Sequence, residues 1–316
     1  MTKRDLLNFS KLNREEMEKI FALAAELKRK QKEGVPHPLL ARHCMAMIFE
    51  KPSLRTRVTF EAGMVQLGGS TVFLGLAEVG LGTRETPADC ARSLSRWVDL
   101  ITVRTFSQET LEEMAHYSSV PVINALTDLF HPCQVLADCL TLIEHKGKLD
   151  GLKIAFVGDG NNMVHSWMEA AAKLPISFAV GCPKGYEPNG AIEESARKNG
   201  ARIIVTESVE EAVTGADAIY TDVWASMGQE AEAGERIESF QPYQVNDRVV
   251  AMAKKDAVVM YCLPAHRGQE ITTEVLEGPQ CIAFDQAENR LHAQKAVMVW
   301  LVRGFEGLDD EPTMRE

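Results

Sequence analysis

At 316 residues the chain has room for roughly two domains of ordinary size, and 45% hydrophobic with 25% charged residues excludes extended disorder. A formal net charge of −11 excludes nucleic acid as the main partner, because a phosphate backbone needs a basic face. No apolar run approaches the ~20 residues that would span a bilayer, so no membrane partner is expected.

The chain alternates short apolar runs with helical periodicity, which predicts an α/β fold with largely parallel sheets. Cys44–Phe49 reads as a buried strand, followed by the loop Glu50-Lys51-Pro52 and a helix from Ser53 to Leu67 that Gly68-Gly69 stops. Thr71–Leu74 is the next strand, and residues 75–85 read as a Gly-rich loop. A helix opens at Thr86-Pro87-Ala88-Asp89, with proline at its first position. Strand Leu100–Val103 ends at Arg104, strand Pro121–Asn124 runs into Asp128-Leu129-Phe130-His131, and Pro132 starts a helix to about His145.

Lys146–Gly151 is the predicted linker. Beyond it come strand Leu152–Val157, the turn Gly158-Asp159-Gly160, a helix over Asn162–Lys173 and strand Ser177–Val180. Further strands are predicted at Arg202–Val205, Ala218–Thr221, Val258–Tyr261 and Ile282–Phe284. A final helix, about Glu288–Gly304, is expected to pack back on the first domain. The division is therefore residues 1–145 with 289–316, and 146–288, each domain having a central, mainly parallel sheet.

Seven cysteines (44, 90, 133, 139, 182, 262 and 281) include no Cys-x-x-Cys pair. An odd, scattered set predicts reduced thiols in a cytoplasmic protein, most of them in the core. The opening Met1-Thr2-Lys3-Arg4-Asp5 precedes no apolar segment of signal-peptide length.

Ser53-Leu54-Arg55-Thr56-Arg57 lies where a strand and loop become a helix. The first N–H groups of a helix lack internal partners and carry the positive end of the dipole. With the Ser53 and Thr56 hydroxyls and the Arg55 guanidinium they would suit a phosphate dianion. The alternative is a serine cap with a solvated arginine pair, Arg57 bridging Glu61. In His131-Pro132-Cys133-Gln134 the imidazole and the amide one turn on could hold a carbonyl oxygen as charge develops on it; alternatively His131 only caps the helix. Arg104, at the carboxyl end of a strand, fits the same chemistry.

Gly158-Asp159-Gly160-Asn161-Asn162 invites a dinucleotide reading, which Met163 at the third glycine position and the lack of an acidic residue after the next strand both oppose. A polar site for an amino-acid backbone and a plain helix-opening turn remain open. Asp222 and Ser226, in the run Asp222–Gly228, could accept from an ammonium group. Cys262-Leu263-Pro264-Ala265-His266 reads either as a structural turn or as a Cys/His nucleophile pair.

Taken together, these segments resemble the aspartate/ornithine carbamoyltransferase family, its ornithine branch in particular, from about Arg4 to Gly304. Ser-x-Arg-Thr-Arg and His-Pro-x-Gln carry the family resemblance; Asp222 with Ser226-Met227-Gly228, and Cys262-Leu263-Pro264, carry the branch. The resemblance implies a carbamoyl-phosphate domain first, an ornithine domain second and an active site in the cleft between them. It implies transfer of a carbamoyl group from carbamoyl phosphate to the δ-amine of L-ornithine, with no metal or cofactor, in a homotrimer or multiple of trimers.

By position, Ser53, Leu54, Arg55 and Thr56 would hold phosphate. Arg104, His131 and Gln134 would hold the carbamoyl group, with Arg104 also reaching phosphate. Cys262, Leu263 and Arg290 would close the site, and Asn162, Asp222, Ser226 and Met227 would bind the ornithine backbone. Arg55, Arg104, His131 and Cys262 form the implied catalytic set. Two departures stand out: Tyr261 occupies the place of the family's usual histidine, and the loop Glu78–Glu85 lacks an expected glutamine, with Arg84 the nearby cation that could reach a neighbouring subunit in its stead. Putrescine or N-acetylornithine remains open as acceptor, and a non-catalytic binding protein or a Cys262/His266 enzyme are the readings outside the family.

Overall fold

The computed structural model describes residues 3–225 and 233–305. It divides into two compact units. Unit 1 comprises residues up to Leu7, Glu15–Asp128 and the chain from Arg290; unit 2 comprises Asn8–Arg14 and Leu129–Asn289.

In unit 1, α1 (Arg14–Lys32) precedes β1 (Cys44–Phe49), α2 (Leu54–Gln66), β2 (Ser70–Gly75), α3 (Leu76–Val79) and α4 (Pro87–Leu94). Then come β3 (Leu100–Arg104), α5 (Gln108–Tyr117) and β4 (Val122–Leu126). Four parallel strands pair in the order β2-β1-β3-β4. The inner strand β3 is buried at every residue, as expected where helices cover both faces. The edge strand β2 is only partly covered.

In unit 2, α6 (Pro132–Lys146) is followed by β5 (Lys153–Val157), α7 (Asn162–Ala171), β6 (Ser177–Gly181), α8 (Gly190–Lys198), β7 (Arg202–Thr206) and α9 (Val209–Val213). The unit continues with β8 (Ala218–Thr221), α10 (Ala233–Phe240), α11 (Asp247–Val250), β9 (Val258–Tyr261) and α12 (Thr273–Leu276). Its five parallel strands run β7-β6-β5-β8-β9.

The last helix, α13 (Ala283–Arg303), packs its later turns against α2 in unit 1. The fit requires Gly63, since a Cβ there would lie 3.1 Å from Met298 and 3.2 Å from Lys295. Lys295 is wholly buried and donates to Gln66 Oε1 and His37 Nε2. Burial lowers its ammonium to about 8.

Two sequence expectations are corrected. Ile282–Phe284 is not a strand: Cys281 makes one bridge to Val259, and from Ala283 the chain is helical. A short apolar run does not distinguish a strand from the first turn of a buried helix. The segment 75–85 is not all loop, because Leu76–Val79 closes one helical turn that Gly80 ends at φ +57°.

Gly160 has a packing reason. A Cβ on it would stand 2.3 Å from Pro188 N, and its own N–H donates to the Tyr186 carbonyl. The Gly-Asp-Gly turn is thus shaped by the 186–188 backbone crossing it, which needs no dinucleotide to explain it.

The segment before α1 is tied to α7, where the Phe9 N–H donates to Glu169 Oε2 at 2.8 Å. Burial raises the Glu169 carboxyl from 4.5 to about 7, against the opposing pull of that N–H and of Lys173. A folded pKa above the unfolded one adds stability that is complete below about 4.5 and is lost as pH rises through about 7. Melting temperatures of the unmodified protein and Glu169→Gln, measured at about pH 5 and pH 8, will show the variant gaining on the parent at the higher pH. A constant difference would assign the carboxyl no such linkage.

Candidate functional site

Each sheet doubles back at its centre. In unit 1 the order reverses between β1 and β3, so the loop leaving β1 and the end of β3 flank one crevice at the carboxyl edge. The predicted phosphate segment and Arg104 occupy those two places. Ser53 caps α2, its Oγ accepting the Thr56 N–H at 3.3 Å. Thr56 is buried, and its hydroxyl receives the Arg290 guanidinium at 2.9 Å. Arg290, itself buried, reaches the start of α2 from α13.

Leu54 is 74% exposed, so its backbone N–H is what it can offer an anion. Arg57 is engaged elsewhere: it pairs with Glu61 at 3.1 Å and stacks 3.6 Å above the Phe73 ring. The solvated-pair alternative thus holds for Arg57, while the buried Arg290–Thr56 contact lies on the side of an anion site. Arg104 is buried as the last residue of β3, opposite Phe49, where the β3–β4 ladder shifts register. Its carbonyl accepts the Glu50 N–H. The Thr105 hydroxyl bonds the Glu50 carboxylate, and the buried Lys51 meets Asp128 while lying 4.0 Å over Phe106.

Arg84 is exposed; its guanidinium donates to the Glu78 carbonyl at 3.3 Å and its backbone N–H bonds the Gly80 carbonyl.

In unit 2 the strand order reverses between β5 and β8. Asp222, the first residue after β8, is buried there. Its Oδ1 accepts from Cys262 Sγ at 3.0 Å and from the Val223 N–H at 2.8 Å, and its Oδ2 accepts from Asn161 Nδ2 at 3.0 Å. Asn161 caps α7 with its Oδ1, which takes the Met163 and Val164 N–H groups. The asparagine beside Asp222 is therefore Asn161. Asn162, singled out from the sequence, begins the helix, and its carbonyl accepts the Ser166 hydroxyl.

His131 is the N-cap residue of α6, as the sequence predicts, but its side chain makes no capping bond to the helix. Its backbone N–H donates to Ser166 Oγ at 2.7 Å. Next to Ser166, His165 holds the same loop: its Nδ1 donates to the Leu129 carbonyl, and its Nε2 accepts the Asn189 N–H. That tautomer is neutral, consistent with burial depressing the imidazole to about 4. Gln134 is buried one turn on, with Nε2 on Asp138 Oδ1 at 2.8 Å.

Cys262 follows β9, beside β8. Its thiol goes to Asp222, while the His266 imidazole faces Glu270 at 3.7 Å, so the two do not form the hydrogen-bonded pair a Cys/His nucleophile requires. Leu263 sits at φ +58°, in the left-handed region that is costly for a residue other than glycine. Tyr261, in the histidine's place, is buried, with its hydroxyl 2.7 Å from Glu270 Oε1 and 2.9 Å from the Pro264 carbonyl. Glu270 is wholly buried and also takes the His266 N–H; burial raises its carboxyl above the usual range. The tyrosine thus bridges the two ends of the turn that carries Cys262 and Leu263.

Ser226 and Met227 lie outside the described residues. Among the described residues no group of three or more His, Cys, Asp or Glu is placed to hold a metal ion, and no helix is long and apolar enough to cross a membrane. The sequence singles out both asparagines of the Gly158–Asn162 run but puts Asn162 on Asp222's side, and it does not single out Asp138 or Gln286. The cap position of Asn161 is the signal that separates it from Asn162; Asp138 and Gln286 are buried polar side chains on helices, which carry no motif.

Two family models match the chain. The carbamoyl-P binding domain of aspartate/ornithine carbamoyltransferase matches residues 4–144, and the Asp/Orn binding domain matches residues 150–301. An ornithine carbamoyltransferase of Anoxybacillus flavithermus is 54% identical over 303 residues, which cover 95% of this chain and 96% of that protein. One of Thermococcus kodakarensis is 50% identical, with 96% and 97% covered. The solved ornithine carbamoyltransferase from Pyrococcus furiosus has a TM-score of 0.92 at 48% identity, with 96% of this chain and 98% of that one covered. Ornithine transcarbamoylase from Giardia lamblia has a TM-score of 0.86 at 32% identity, covering 96% and 99%. The chain belongs to the aspartate/ornithine carbamoyltransferase family.

Proposed function

We infer that the chain transfers the carbamoyl group of carbamoyl phosphate to the δ-amine of L-ornithine, giving L-citrulline and phosphate. The observation that carries the acceptor is Asp222, a buried carboxylate held by three donors where the unit 2 sheet reverses. Such a carboxylate attracts the ammonium of an amino acid and repels a dicarboxylate, which favours ornithine over aspartate.

Ser53, Leu54, Arg55 and Thr56 hold the phosphate, with Arg290 setting Thr56. Arg104, His131 and Gln134 hold the carbamoyl group and meet the oxyanion of the tetrahedral intermediate. Asn162, Asp222, Ser226, Met227, Cys262 and Leu263 receive ornithine, and Asn161 orients Asp222. In functional division, residues 1–145 with 289–316 serve carbamoyl phosphate and 146–288 serve ornithine.

The δ-amine attacks as the neutral base, although its reference pKa is about 10.4. Alignment with the carbonyl supplies much of the rate. A bond forms between nitrogen and the carbonyl carbon, the carbon–oxygen bond to phosphate breaks, and the departing phosphate takes the amine proton. No dedicated base is required. The protein works in the cytoplasm as a homotrimer or a multiple of trimers, which its mass in solution checks.

Citrulline formation from carbamoyl phosphate with a panel of amines tests the reading: ornithine should be the preferred acceptor, and a preference for putrescine would remove the role of Asp222. Arg55→Ala should lower kcat/KM for carbamoyl phosphate roughly 100-fold, as expected for losing a charge-assisted contact, with the fold intact by circular dichroism. Near-normal kinetics would refute the phosphate pocket. Asp222→Asn should weaken ornithine by a similar factor while leaving carbamoyl phosphate nearly unaffected; equal losses for both would assign it a structural part. Cys262→Ser should stay measurably active, with intersecting initial-rate lines in the parent enzyme. Ping-pong kinetics with a trapped carbamoyl-thiol adduct would make Cys262 a nucleophile instead.

A further inference from the structure

The helix bearing Gln134 and the strand end bearing Cys262 are joined, inside unit 2, by a chain of buried hydrogen bonds. Gln134 Nε2 and Gln286 Nε2 both donate to one oxygen of Asp138, Oδ1, at 2.8 and 2.9 Å. Gln286 Oε1 in turn accepts the N–H of Tyr261 at 2.8 Å. Gln134 is 1% exposed, and Asp138, Gln286 and Tyr261 are fully buried.

A carboxylate taken out of water is stable only while donors surround it, so its removal or neutralisation leaves amide groups to find new orientations. The sequence places Asp138 one helical turn after Gln134, on the same face of α6. An amide side chain can rotate freely about its last bond; fixing its N–H₂ end on Asp138 leaves the carbonyl end of Gln134 pointing in one direction. Gln286 is fixed likewise, with its carbonyl end given to the strand that leads into Cys262-Leu263.

Resting on the carbamoyl-transfer reading, we propose that Asp138 is a positioning residue: its single oxygen Oδ1 sets both the Gln134 amide and, through Gln286, the Tyr261–Leu263 strand end for the reaction. The competing explanation is plain stitching of α6 to the first turns of α13. That stitching exists at other rungs, where Asn289 Nδ2 reaches Thr141 Oγ1 and Glu144 Oε2, and His145 meets Asp285. The Asp138 rung continues to Gln134 on one side and, through Gln286, to Tyr261 on the other.

The difference is measurable. Asp138→Asn, Thr141→Val and the parent enzyme are compared by melting temperature and by citrulline kinetics. Both variants should lose stability, but only Asp138→Asn should lose turnover, with kcat falling between about 10- and 100-fold and KM for ornithine moving less than about 3-fold. In a background carrying both Gln134→Ala and Gln286→Met, adding Asp138→Asn should cost less than about 3-fold more, since both residues it acts through are already gone. If Asp138→Asn does not fold, Gln286→Met cuts the same chain one link on and should lower kcat at least about 10-fold. Turnover of Asp138→Asn equal to that of Thr141→Val would overturn the proposal, and so would a further loss that multiplies when Asp138→Asn is added to the Gln134→Ala, Gln286→Met background. A parent enzyme that releases no citrulline would instead sink the carbamoyl-transfer reading itself.

Discussion

Parallel pairing is the constraint from which the rest follows. A strand that must run beside its predecessor in the same direction forces the chain to travel back through a helix, so every loop that follows a strand gathers at one edge. When the order then reverses, as between β1 and β3 and between β5 and β8, two neighbouring loops diverge and leave a crevice. The residues proposed for the chemistry occupy those places: Ser53 to Thr56 and Arg104 in one unit, Asn161 and Asp222 in the other. Position in the topology, more than any local motif, decides which polar residues can meet a ligand.

Electrostatics sharpens the contrast between the units. In a protein with a net charge of −11, burying Arg104 at the end of β3 and Arg290 against Thr56 at the start of α2 concentrates positive charge where the chain average is negative. Unit 2 does the opposite, keeping Asp222 buried by giving its two oxygens three donors. The two environments suit reactants of opposite character, an acyl phosphate and an amino-acid ammonium.

Much of this was legible in the sequence because strands end abruptly and chemistry follows them. The βα alternation, the cap at Ser53, the proline start at Pro132 and the buried strands all carry strong local signals, and the structure places them within a residue or two. What escaped has physical causes. Asn161 and Asn162 are adjacent, and only the backbone turn decides which is cap and which is helix. Asp138 and Gln286 look like ordinary polar positions on helices until their burial is known. The single turn of α3 is too short to show a period, and Cys281–Phe284 satisfies strand and helix patterns equally. Glu270 gives no sign in the sequence that it lies beneath Tyr261, because that contact depends on the fold of the turn between them.

The crossing of residues 186–188 over Gly160 has a meaning for what this half of the molecule can become. A doubly wound unit with glycines after its first strand resembles a nucleotide cradle, in which free N–H groups and a bare Cα receive a pyrophosphate. Here the protein's own main chain lies against that Cα, and the Gly160 N–H is committed to the Tyr186 carbonyl. The cradle is self-occupied. At this turn a pyrophosphate would have to displace the protein's own main chain, so an engineer wishing to install a redox cofactor here would have to reroute the 186–188 segment before altering any side chain.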